Sequence, residues 1–321
     1  VRGFRVAVLL LTALTVAVPA MAAEDCRLKQ MASLPFSDNS PDMAVVEISV
    51  AGRPLHFLVD TGGVYTEIFR DEADALGLDL SSVTGIEIYS VDGSIATHFA
   101  KAHDVKIGPV NIQSLAMVVS DRPKGETRFD GILAPDILSM FDLEFDFAAR
   151  KLNLMSPDHC DGKVVYWTDV YSAVDFKKRD NQIDLSVNLD GHDLSAVLDT
   201  GSSYTNLFQN VSESAFGLNA SSPGMVADPK SDPDDSGRMT YRFKALMVGE
   251  LVVKNPLIHI LRNGAQESFE KKHNDPIGRD SFMREDFQNG DMLLGMNVLT
   301  KLHLYIAYKE RKIYVTAADA H

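Results

Sequence analysis

The sequence predicts a mainly β protein built as two homologous barrel-like lobes. Three observations carry this. Short apolar–polar alternating segments bounded by turn residues recur along the chain. One stretch, Phe57-Leu58-Val59-Asp60-Thr61-Gly62-Gly63, returns in near-identical form as Ala196-Val197-Leu198-Asp199-Thr200-Gly201-Ser202. The segments around the two copies also keep the same order, which marks an internal duplication at domain scale rather than a solenoid repeat. With 321 residues, 45% of them hydrophobic and 24% charged, the chain is long enough for two lobes with separate cores.

The first lobe opens with Val45-Val46-Glu47-Ile48-Ser49-Val50, which alternates from Val46 as a half-buried strand does. Ala51-Gly52-Arg53-Pro54 reads as a turn, and Leu55 to Val59 as the returning strand. In the second lobe Ile183 to Leu189, the turn Asp190-Gly191 and the strand Leu194 to Leu198 repeat this; Gly52 and Gly191, like Asp60 and Asp199, stand 139 positions apart. Beyond the carboxylate, Val64 to Phe69 aligns without a gap with Ser203 to Phe208. Further on come Val105 to Gly108 and Met247 to Gly249, each followed by an apolar strand, Leu115 to Val119 and Leu257 to Leu261. The segments Gly131 to Leu138 and Met292 to Leu299 then each predict a strand and a short helix, and each leads into a closing hairpin, Leu143 to Met155 and Leu302 to Val315. Two regions break the symmetry: the acidic loop Asp228 to Gly237, which lacks the ligand spacing of an EF-hand and reads as solvated, and the polar insertion Arg262 to Gly290.

Arg2 and Arg5, the apolar run Val6 to Val18 and the Ala20-Met21-Ala22 cleavage site read as a signal peptide over 1–22, the apolar core being too short for a membrane span. The expected units are then 23–160 as the N-terminal lobe, 161–180 as a linker and 181–321 as the C-terminal lobe. Export to an oxidising compartment, the periplasm, follows from this reading, with no membrane span after cleavage. The formal net charge of −14 becomes more negative once Arg2 and Arg5 are removed, which argues against a nucleic-acid or anionic-membrane partner. The only two cysteines, Cys26 and Cys160, flank the first lobe and are expected to form a disulfide. A metal reading is poor, with His159 the sole adjacent extra ligand, and no cofactor is implied. An Asp at the end of an apolar strand and followed by Thr-Gly is directed into the interior, and two such points raise the question of whether they meet.

Two copies of apolar-apolar-Asp-Thr-Gly, each followed by an apolar-apolar-Gly or its near equivalent, resemble the aspartic proteases of the pepsin and retropepsin type. The resemblance runs from about Ala44 to Val315, and the segment lengths look closer to bacterial retropepsin-like proteins than to pepsin. It implies two aspartic-protease-type barrel lobes related by a pseudo-two-fold axis, with Asp60 and Asp199 as the catalytic pair at the base of a cleft. It further implies that Thr61 and Thr200 cross the axis and that Gly62 and Gly201 let the backbone turn behind the carboxylates and offer N–H groups to them. The hairpin Ile86 to Phe99, around Val91-Asp92-Gly93-Ser94, would be the flap over the substrate, with Tyr89 and Gly93 at its working end.

Two positions depart from the pattern. Ser202 is the expected hydroxyl donor to the outer carboxylate oxygen in the second copy, and Gly63 supplies none in the first, which is expected to raise the pKa of Asp60 and favour milder pH. Ala134 replaces the Gly of the first apolar-apolar-small signal and is expected to shift the Asp60 loop. The reading is an aspartic endopeptidase acting on an extended peptide or protein, through a water activated between the two Asp, with a monomer sufficient for catalysis. The alternative keeps the fold without the reaction: a catalytically inert periplasmic peptide- or protein-binding module.

Overall fold

The computed structural model describes residues 26–84, 88, 96–179, 181–227, 239–261 and 290–320. The stretch read as a signal peptide, the acidic loop and the insertion up to residue 289 lie outside these residues, as do Tyr89 and Gly93 of the expected flap. The chain enters through β1 (Gln30–Pro35) and then builds the first lobe from β2 (Val45–Val50), β3 (Arg53–Val59), β4 (Glu67–Phe69), helix α1 (Arg70–Ala75), β5 (Asp79–Ser82), β6 (His98–Ile107), β7 (Val110–Ser120), β8 (Gly131–Leu133) and helix α2 (Pro135–Leu138). These seven strands, β2 to β8, form one sheet in the order β2-β3-β8-β4-β7-β6-β5, curled so that β2 also pairs with β6. The β2–β3 hairpin turns through Ala51 and Gly52, both at positive φ, the backbone that a tight hairpin requires.

After β9 (Asp142–Asp146), β10 (Lys151–Met155) and β11 (Ser172–Arg179), the second lobe repeats the plan. It contains β12 (Gln182–Leu189), β13 (His192–Leu198), β14 (Asn206–Phe208), helix α3 (Gln209–Phe216), β15 (Val226–Ala227), β16 (Met239–Arg242), β17 (Ala245–Val248), β18 (Leu251–Lys254), β19 (Leu257–Leu261), β20 (Met292–Leu294) and helix α4 (Met296–Leu299). The chain closes with β21 (Leu302–Ala307) and β22 (Lys312–Ala317). The duplication extends to the register. Val59 pairs with Leu133 in the parallel β3–β8 ladder, and Leu198 with Leu294 in β13–β20. Ser49 meets Lys106 where β2 closes on β6, and Asn188 meets Met247 where β12 closes on β17. The turn Asp190-Gly191 again has both residues at positive φ.

The two predicted closing hairpins do not stay within their lobes. They pair with each other, Phe145 opposite Leu304, in a platform ordered β1-β10-β9-β21-β22-β11. Strand β11 falls within the stretch read as a linker. Its first half pairs with β22 and its second half with β12, so the platform and the second barrel are one continuous sheet. Its buried residues, Ser172 and Phe176, are diluted by exposed charge at Lys177 and Lys178, which is why the strand reads as a connection. Alternation divides the platform faces. Leu143, Phe145 and Leu152 join the apolar core that runs through both lobes, while Asp142, Glu144 and Asn153 face the other way and are equally buried.

Residues 159–167 cover that polar face. His159 Nε2 lies 2.5 Å from Asp142 Oδ2, and His303 Nε2 lies 3.0 Å from Glu144 Oε1. The Tyr166 hydroxyl donates to Glu144 at 2.9 Å, Trp167 stacks on His303 at 4.0 Å, and its indole N–H donates to Thr316 Oγ1 at 3.0 Å. Buried ionisable groups are tolerated here because each is paired. The expected disulfide, Cys26–Cys160, joins the entering chain to the start of this cover.

Candidate active site

Strands β3 and β13 end in three apolar, buried residues, Phe57 to Val59 and Ala196 to Leu198, then release the chain at Asp60 and Asp199. The last bonds of the parallel ladders, Asp60 N–H to Leu133 O and Asp199 N–H to Leu294 O, both 3.0 Å, fix the points of departure. Immediately beyond, the threonines cross between lobes. The Thr61 hydroxyl donates to Leu198 O at 2.7 Å and accepts from the Thr200 N–H at 3.1 Å; the Thr200 hydroxyl donates to Val59 O at 2.6 Å and accepts from the Thr61 N–H at 3.1 Å. Both threonines are fully enclosed, so these four bonds are shielded from water and rigidly join the two loops.

Each carboxylate then lies over the other lobe's glycine. A Cβ on Gly62 would fall 2.6 Å from Asp199 Cγ, and one on Gly201 would fall 2.4 Å from Asp60 Cγ, so neither position has room for a side chain. Each carboxylate also takes two N–H donors from its own loop. Gly62 and Gly63 donate to Asp60 Oδ1 at 2.8 and 2.9 Å, and Gly201 and Ser202 to Asp199 Oδ1, both at 3.0 Å. Burial pushes the Asp60 carboxyl above its ordinary range against those N–H bonds. Burial pushes Asp199 well above it, with the charge of Asp60 adding to the rise. Two buried carboxyls in mutual contact hold a shared proton over a wider pH range than isolated ones, the condition for one to accept a proton while the other donates.

The expected asymmetry is corrected here. The Ser202 hydroxyl does not reach Asp199: it donates to Tyr204 O at 2.8 Å and accepts from Asn206 Nδ2 at 3.2 Å, because Asn206 holds it against the loop. Both carboxylates therefore have two loop donors, and burial raises both carboxyls. Ala134 does not displace its loop either. Its N–H donates to Thr66 Oγ1 at 3.1 Å, as the Gly295 N–H does to Thr205 Oγ1 at 3.0 Å.

Sequence reasoning missed the residues behind these loops. Thr66 donates to Asp136 through both its N–H, at 3.0 Å, and its hydroxyl, at 2.7 Å; the Thr205 N–H donates to Asn297 Oδ1 at 2.7 Å. The signal was present, since Thr66/Thr205 and Asp136/Asn297 occupy matching places in the duplication. Asn181 and Gln182 were missed as well; their side-chain amides donate to Val64 O, at 3.0 Å, and to Gly62 O. Cys26 and Cys160 belong to the platform cover. Among the described residues no group of three ligating side chains is placed to hold a metal, and no helix is long and apolar enough to cross a membrane.

Residues 46–137 match the aspartyl protease family model. The fold is similar to that of the aspartic proteinase from Irpex lacteus, with a TM-score of 0.54 and 14% identity over 90% of this chain and 98% of that one. No curated protein matches the sequence. The match covers the first lobe with its Asp-Thr-Gly loop, and the fold likeness takes in both lobes. Residues 46–137 thus resemble the aspartyl protease family in sequence, and the chain as a whole has a fold like that of the aspartic proteinase.

Proposed function

We propose that this protein is an aspartic endopeptidase whose reacting groups are Asp60 and Asp199. The observation that carries the reading is the enclosed, reciprocal grip of Thr61 and Thr200, which presses two buried carboxyls against each other from opposite lobes. In the reaction, the ionised carboxylate takes a proton from a water as its oxygen bonds to the peptide carbonyl carbon. The protonated carboxyl gives its proton to the carbonyl oxygen, forming a neutral gem-diol. Return of a proton from a diol hydroxyl and protonation of the amide nitrogen then break the C–N bond, leaving an acid and an amine. An extended peptide is the fitting substrate, because it presents its backbone to strand edges. One chain supplies both carboxylates, so a monomer suffices. The inert-module alternative drew on Gly63 and Ala134, and the intact loop bonding at both positions favours the active reading. The Cys26–Cys160 bridge supports an oxidising compartment, in line with export to the periplasm.

The test is hydrolysis of a mixed peptide library by the purified chain, by Asp60→Asn and by Asp199→Asn. The expected outcome is cleavage between weakly acidic and neutral pH and a loss of about 100- to 10,000-fold in either variant. Equal cleavage by all three proteins removes the two Asp from the mechanism. A pH–rate profile confined below about pH 3 contradicts the raised carboxyl pKa values. Peptide binding without turnover across the whole range leaves the inert module.

A further inference from the structure

We propose that Asn181 and Gln182, at the entrance to the second lobe, are positioning residues for the Asp60 loop, fastening its Val64 and Gly62 carbonyls from across the lobe boundary. This rests on the reading of Asp60 and Asp199 as the reacting pair. The two loops make the case when matched residue by residue. In the second loop the Met296 N–H donates to Ser202 O at 2.9 Å and the Asn297 N–H to Ser203 O at 3.2 Å. The Ser202 hydroxyl and Asn206 Nδ2 both donate to Tyr204 O at 2.8 Å. All of these donors come from the second lobe itself.

In the first loop three of the four corresponding donors have gone, and the fourth, the Asn297 N–H, is matched by the N–H of Asp136, which bonds its own carboxylate. Met296 is matched by Pro135, which has no N–H; Ser202 is matched by Gly63, which has no hydroxyl; and Asn206 is matched by Glu67. Val64 is the counterpart of Ser203, and its carbonyl accepts instead from Asn181 Nδ2 at 3.0 Å. The neighbouring Gly62 carbonyl accepts from Gln182 Nε2. Gln182 is 7% exposed, so this bond is sheltered from competing water.

The strut runs one way. The positions matching Asn181 and Gln182 in the first lobe are Asp42, which pairs with Arg128, and Met43, which is packed in a small apolar cluster. Gln182 begins β12, which from Asp184 to Leu189 pairs with β13, the strand that leads into Asp199. One strand pair of the second lobe therefore presents Asp199 and holds the loop of Asp60, so the spacing of the two carboxyls is set from one side.

Gln182→Met keeps side-chain length and removes the donor, and Asn181→Ala removes the other. Hydrogen exchange followed by mass spectrometry separates the two loops, in segments 57–69 and 196–208. The expected result for the double variant is exchange roughly five- to thirtyfold faster in the first segment, with the second unchanged. On a peptide substrate kcat falls by about fivefold or more while KM stays within about twofold. Acceleration of both segments together, or of neither, overturns the strut. Asn181→Ala alone alters a half-exposed residue; it is expected to move the first segment in the same direction by a smaller factor, and no change there also overturns the proposal. If the unaltered chain hydrolyses no peptide, the proposed activity fails, while the exchange comparison still decides the strut.

Discussion

Asp199, proposed as one of the reacting residues, is held at a cost to the fold. Its carboxyl is raised well above the ordinary range by burial and by the Asp60 charge, so the folded protein binds its proton more tightly than the unfolded chain does. The stability that this proton supplies is fully present below the unfolded pKa, near about 3.9, and is lost as pH rises through the raised folded value. Asp60 is raised in the same direction and adds to the same trend. Asp199→Asn keeps an oxygen to accept from the Gly201 and Ser202 N–H groups and removes the charge. The variant is therefore expected to melt higher than the unaltered chain at pH 7, by roughly 2–4 °C for each kcal/mol of relieved charge, with the gain fading toward about pH 3. Thermal melts from pH 3 to 8 check this, and a gain that grows in acid contradicts it.

Strands and loops show how the duplicated elements diverged without losing their shape. Gly63 and Ala134 make up one compensated exchange: the Ala134 methyl stands 3.4 Å from the place a Gly63 Cβ would occupy, while in the other lobe Ser202 carries the side chain and Gly295 has none. A Cβ at Gly295 would fall 2.2 Å from Tyr204 O and 2.9 Å from Ser202 O. Gly295→Ala is thus expected to cost about 1–3 kcal/mol by overpacking and to depress turnover, whereas Ala134→Gly costs no more than about 1 kcal/mol. Urea unfolding of the two variants and their kcat values test this; equal effects contradict it. The strands, turns and Asp positions were legible because period-two alternation, Gly turns and the 139-residue spacing are local or repeated signals. The direction of the Ser202 hydroxyl was not, because Asn206 sets it through a contact that the spacing does not encode. Asn181 and Gln182 were missed for a similar reason: they follow a charged run that reads as a connection, and their acceptors are more than a hundred residues away.

At the scale of the molecule, the threonine grip and the platform both join the lobes, and the two do different work. The grip has few bonds but touches the carboxyls. The platform has the area, with β9 paired to β21 and residues 159–167 laid over a buried polar face. The disulfide acts at the platform: Cys26 and Cys160 are 134 positions apart, and the bridge adds to a chain entry already held by the β1–β10 ladder. Its contribution comes mainly through limiting the unfolded chain, about 2–5 kcal/mol. Replacing both cysteines by Ser is therefore expected to lower Tm by roughly 5–15 °C while leaving kcat and KM at 25 °C within about twofold, since the loops that carry Asp60 and Asp199 are held by bonds elsewhere. Paired melting and kinetic measurements on this variant separate the two roles. A fall in kcat with Tm unchanged would mean that the platform sets the carboxyl geometry directly, against this division of labour.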